Sequence, residues 1–190
     1  MTAAPAVLVM ASGAATAPPD LRELLGPARA AKLEELLLAR ALRWASDLGS
    51  ARVEQAGQAE GLADAVERVF AAGAGEPVLV IWPALPRWGP EHAEGVLGDL
   101  ASGCDASVGP VYDRGLYLLA LTRVLPTVLA LPAETWDSPD AMGSVLGAIN
   151  QEGVAVGLLR AERGLRRAGD VRAALADPLL DNELRALLGG

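Results

Sequence analysis

Cysteine is almost missing from this sequence. Cys104 stands alone, so neither an intrachain disulfide nor a cysteine-built metal cluster can form, which suits a reducing compartment. His92 is the only histidine and Lys32 the only lysine. No nucleophile-elbow sequence accompanies that histidine, so a Ser-His-Asp triad has no place to form. Aromatic residues make up 4% of the chain, while Ala, Leu, Val, Gly and Arg dominate, a bias that reads as codon usage rather than chemistry. Positive charge is also short: the formal net charge is −8 and the isoelectric point near 4.7. Such a surface repels phosphate backbones and anionic lipid, which argues against a general nucleic-acid or membrane-surface binder. No apolar run approaches the roughly 18 residues of a membrane span. The opening residues lack a basic n-region and read as a first strand rather than a signal peptide. A cytoplasmic protein is expected.

What is present is a chain of 190 residues with 52% hydrophobic content, enough for one domain, residues 1–190, with a substantial core. Short continuous apolar runs at 6–11, 77–82 and 154–159 read as strands buried on both faces. "ARVEQ" at 51–55 reads as a weaker edge strand, and 106–121 as two strands separated by the turn-forming Asp113, Arg114 and Gly115. Between them lie helical stripes. One opens at Pro27, one spans 62–70 with an Asp64–Arg68 pair at i,i+4, and one starts at Pro90 with Ala93, Val96, Leu97 and Leu100 inward. A further helix over 138–152 has Ser138 as N-cap, Pro139 at N1 and Gly153 as its stop, and closing helices follow, the second begun by Asp177 and Pro178. Strands alternating with helices demand crossovers. The expected fold is therefore α/β, a three-layer α/β/α Rossmann-like domain with a mostly parallel central sheet.

In such sheets ligands sit beyond the carboxyl ends of the strands. That points to residues 12–22, 82–88, 110–117, 135–140 and 168–172. Ser12, Gly13 and Arg22 lie in or beside a flexible loop that suits an anion, although it is neither a Walker sequence nor the dinucleotide fingerprint. Asp113 and Asp170 are the acids placed to hold a sugar hydroxyl or a metal. A turn role for Asp113 and a helix N-cap for Asp170 are equally good readings. Trp136 suits stacking on a sugar or base, or burial; His92 reads as a surface helix residue and Arg163, Arg166 and Arg167 as a solvated basic run.

Together, "VLVMA" at 7–11, "PVLVIWPALPRWGPEH" at 77–92, "GPVYDRGLYLLAL" at 109–121, "TWDSPD" at 135–140 and "GDVRAALADPLL" at 169–180 resemble a known family. It is the small glycosyltransferase-A-like family of the nucleotide-diphospho-sugar transferase superfamily, and the resemblance keeps chain order over most of the sequence. It implies a metal-dependent transferase that binds a nucleotide sugar. Its scaffold residues match, and its reactive ones mostly do not. Matching back from Pro90, Glu91 and His92, the family's strand-end aspartate falls on Ala84 and the following acid on Arg87. Asp113, Gly115 and Tyr117 remain in the hairpin, with Arg114 and Leu116 in place of a Gly and a Tyr; Asp170 remains in the last turn, but its companion aspartate is Arg172.

A divalent cation bridging a diphosphate needs hard oxygen ligands, and Ala84 and Arg172 remove two. Arginines at 87, 114 and 172 offer bidentate phosphate contacts instead. The expectation is a degenerate transferase, a pseudoenzyme, using no metal cofactor and binding a nucleotide or nucleotide sugar through Ser12, Gly13, Arg22, Arg87, Arg114, Gly115, Tyr117, Trp136 and Arg172. One alternative is an active, metal-independent glycosyl- or nucleotidyltransferase with Asp113 or Asp170 as base. Another is an interaction protein forming a homodimer through exposed Trp82 and Trp88.

Overall fold

The computed structural model describes residues 4–10, 18–57, 60–73 and 75–189. Strands β1 (Ala6–Val9) and β3 (Val78–Ile81) are buried at every position, as unbroken Val, Leu and Ile content requires when both sheet faces are covered. They pair in parallel, with β2 (Arg52–Gln55) outside β1. On the other side of β3, β5 (Leu116–Leu121) runs antiparallel, followed by β4 (Ala106–Pro110) and then β6 (Val156–Leu158). The order is β2-β1-β3-β5-β4-β6, and β5 alone opposes the direction of the rest among the described strands. The mostly parallel sheet expected from the sequence is present.

Side chains alternate across a strand, so neighbours on one strand meet different layers. Leu8, Val80 and Leu119 pack with helices α3 (Leu62–Ala72), α5 (Pro126–Leu129) and α6 (Ala141–Gln151). Val9, Ile81 and Leu118 pack on the opposite face against α2 (Pro27–Asp47) and α4 (Pro90–Ala101). Each fully buried side chain of this kind contributes about 1.5–3 kcal/mol. A third cluster, including Leu21, Leu33, Val171 and Leu184, joins α1 (Pro19–Leu25) and α2 to α7 (Ala168–Ala176) and α8 (Asn182–Gly189). None of the described helices is long and apolar enough to cross a membrane.

Several local expectations are corrected. Helix α6 begins at Ala141 rather than Pro139, because a 3₁₀ turn (Ala133–Asp137) leads into it and the Ser138 carbonyl accepts the amides of Gly115 and Ala141. Ser138 thus ties two segments together instead of capping. Arg68 does not pair with Asp64; it bonds Glu60 at 2.8 Å and also Glu54 on β2, since its long side chain reaches the sheet edge. The strand at 154–159 shortens to β6, and the last helix starts at Asn182 because Asp177 accepts the Leu179 amide in a turn. Trp82 is buried, and half-buried Trp88 lies 4.7 Å from the Trp44 ring, so the two form no exposed patch.

Candidate functional site at the strand ends

At the carboxyl edge of the sheet, β3 runs into Trp82 and Pro83, and β6 into the segment ending at Leu165 and Arg166. Between these and the α1–α2 pair lies a cavity of about 260 Å³, walled also by Glu34, Trp136 and Asp137. Trp82 and Trp136 stack with centroids 5.7 Å apart and planes 17° off parallel, so the cavity has an aromatic wall held rigid from behind. Arg166 sits on the same wall and bonds Asp137 at 2.8 Å. Burial pushes the Glu34 carboxyl above its ordinary pKa, and nearby Arg22 only partly opposes this. One Glu34 oxygen, Oε2, is buried without a hydrogen-bond partner among the described residues. A carboxyl oxygen so placed can accept a hydrogen bond from a ligand hydroxyl.

The hairpin between β4 and β5 is fastened to this wall. Gly115 has φ 76°, its amide donates to the Ser138 carbonyl at 2.9 Å, and a Cβ there would come within 3.1 Å of the Trp136 carbonyl oxygen. A side chain at this position would therefore strain the turn and press on the cavity wall. Asp113, exposed with φ 71°, occupies the left-handed region that Asp tolerates better than most residues. Half-buried Arg114 has its Nε buried and unbonded among the described residues.

Asp170 is anchored. Its Oδ2 accepts the amides of Arg166 and Arg167, both at 3.0 Å, so it caps α7 and thereby positions the backbone that carries Arg166 into the cavity wall. Arg172 is exposed on α7, Arg22 exposed on α1, and Arg87 74% exposed beside Glu91. Ser12 and Gly13 lie outside the described residues. Tyr117 lies on the α4 side of the sheet, away from the cavity wall. It is 1% exposed, its hydroxyl donates to the Arg160 carbonyl at 3.1 Å, and its ring covers Gly109, where a Cβ would clash at 2.5 Å. The structure thus brings Trp136 to the cavity with Gly115 packed behind its wall, and disperses Tyr117, Arg87 and Arg172.

Trp82, Glu34, Asp137 and Arg166 were not singled out from sequence as ligand contacts. Arg166 stood in a basic run that looked solvated, and Glu34 carries no local signal. His92, read as a surface residue, is buried at 5% exposure. A signal existed: His92, Val96 and Leu100 repeat at i,i+4 on one stripe, and all three are buried.

The donor set does not fit the divalent metal that the family resemblance implies. No group of three or more His, Cys, Asp or Glu side chains able to hold an ion occurs among the described residues. Ala84, which the resemblance matches to a strand-end acid, is 1% exposed, with its carbonyl bonded to the Leu165 amide at 2.8 Å. Asp170 is occupied by two amides.

No protein-family model matches this chain, and no curated protein matches it. Solved structures do, and they share the fold. It is the fold of a nucleotide-diphospho-sugar transferase structure. A protein from Desulfovibrio desulfuricans G20, classed as a nucleotide-diphospho-sugar transferase, superposes with a TM-score of 0.77 at 16% identity, covering 98% of this chain and 95% of that one. The bifunctional IspDF from Campylobacter jejuni superposes at 0.57 and 14% identity, over 90% of this chain and 54% of that one. At such identities the likeness establishes the fold.

Proposed function

We propose that this domain binds a nucleotide or sugar phosphate in the strand-end cavity without metal-dependent catalysis. The observation that carries the reading is the composition of one wall: two stacked tryptophans, a guanidinium and a carboxyl with one oxygen unbonded among the described residues. Aromatic faces suit a base or sugar ring, arginine suits a phosphate, and an unbonded carboxyl oxygen suits a hydroxyl. Arg166 is held by Asp137 until a stronger oxyanion competes for it. Ala84 and the bonded Asp170 explain why binding would proceed without a cation. The rival, a metal-independent transferase, requires a free base at the cavity, whereas Asp170 already accepts two amides and Asp113 is not among the residues that line it.

Trp82 and Trp136 supply the readout. Nucleoside diphosphates and nucleotide sugars are expected to quench tryptophan emission saturably, with the same affinity in chelator as in magnesium or manganese. Arg166→Ala should weaken that binding about tenfold, as loss of one charge-assisted contact implies. Binding that disappears in chelator, or turnover of any nucleotide sugar, overturns the proposal.

A further inference from the structure

A second cleft lies on the α4 side of the sheet and shares no lining residue with the strand-end cavity. His92 is at its centre. Nδ1 of His92 lies 3.0 Å from the Gly89 amide and 3.3 Å from the Gly89 carbonyl; the shorter contact makes Nδ1 the acceptor and assigns the proton of the neutral imidazole to Nε2. That Nε2 is buried and makes no hydrogen bond among the described residues. The facing Glu162 oxygen stands off at 3.5 Å. The ring cannot easily turn away, because Trp88 and Tyr117 both pack on it with centroids 5.6 Å distant. The fold therefore maintains an unanswered donor at the bottom of a polar cleft.

His92, Glu91, Arg160 and Glu162 line two adjoining cavities of about 230 and 310 Å³. Arg87 and Arg163 complete the first. Most of the acids around it are engaged. Glu162 Oε1 accepts two N–H groups from Arg160 at 2.9 and 2.6 Å. Asp181 holds Arg40, and Asp177 Oδ1 accepts the Leu179 amide. Glu91 is 3.6 Å from Arg87 and 4.0 Å from His92 Nδ1, both longer than a hydrogen bond. Arg163 rests over the Tyr112 ring at 5.7 Å. Beside these acids, the cleft presents His92 Nε2–H and the guanidinium groups of Arg87 and Arg163.

We infer that this cleft is a second binding site, for a small molecule carrying a compact oxyanion, either a phosphate or a carboxylate. Arg87 and Arg163 clamp the oxyanion from the rim, and His92 donates from below. The cavity volumes, at or below the lower end of ordinary ligand pockets, limit the occupant to a small molecule.

The single histidine makes the test direct, because imidazole ¹H–¹⁵N spectra report one ring. Inorganic phosphate and acetate are titrated separately, with sodium chloride at matched ionic strength as control. A saturable shift of the His92 Nε2 resonance with phosphate or acetate, absent with chloride, is the expected result; the anion that saturates names the head group. The Arg87→Ala/Arg163→Ala variant, altered only at exposed residues, should bind about tenfold more weakly or worse. Arg166→Ala should leave the His92 response unchanged, separating this cleft from the strand-end cavity. No saturable shift, an equal shift with chloride, or a response retained in the double variant overturns the inference.

Discussion

Ala84→Asp places a carboxyl where the resembling family keeps its strand-end acid. Ala84 is 1% exposed, and its backbone is tied at both ends, the amide to Trp82 O at 2.7 Å and the carbonyl to the Leu165 amide at 2.8 Å. Its methyl group belongs to the core cluster that includes Leu85 and Val111, and a Cβ on Gly164 would lie 3.7 Å from it. The added atoms would press on packed neighbours at a cost of about 1 kcal/mol or more. Burial would then lift the carboxyl pKa, and each pH unit above the ordinary value near 3.9 adds about 1.4 kcal/mol of destabilisation at neutral pH. A loss of about 3 kcal/mol at pH 7 is expected. The sign follows from the neutral acid being the form the fold tolerates. Below about pH 4 only the packing loss remains, and the deficit widens as pH rises to the folded-state pKa. Urea unfolding followed by tryptophan emission at pH 4.5 and pH 7, with and without manganese, measures it. A variant as stable as the parent at pH 7 and further stabilised by manganese would refute the reasoning, since position 84 would then open onto a usable metal cage.

Asp170→Ala removes an anchor rather than a base: stability should drop by about 1 kcal/mol in a denaturant titration, with nucleotide affinity falling only as the Arg166 backbone loosens. Asp181 is held down to a pKa of about 2 by its hydrogen bonds from Arg40 and the Leu184 amide. That depressed value supplies stability present above about pH 4 and lost as pH falls towards 2. Asp181→Asn should therefore flatten the acid limb of the stability profile between those limits. Because the pair is partly exposed, its contribution is about 1 kcal/mol or less.

Much of the architecture was legible because it depends on local, periodic chemistry. The runs at 6–9 and 78–81 have no polar side chain to leave facing water, so they form strands covered on both faces wherever the chain takes them. Pro27 and Pro90 open helices because a missing amide proton costs nothing in the first turn. Asp113 and Gly115 marked a turn, and the structure holds both at positive φ. The helix start at 138 was misplaced because Ser138 resolves a long-range demand, the Gly115 amide, that no local pattern reveals.

The sequence by itself determined the α/β alternation and the apolar strands, since each follows from residue identity and spacing. Only the tertiary structure decided which polar groups meet. It buried Tyr117 and His92 together on the α4 side of the sheet, turned Asp170 into the cap of α7, and joined Trp82 to Trp136 across 54 residues of chain. The physical reason is that periodicity reports which face of an element is dry, whereas a site forms where the dry faces of elements distant in sequence leave a few polar atoms in reach of one another.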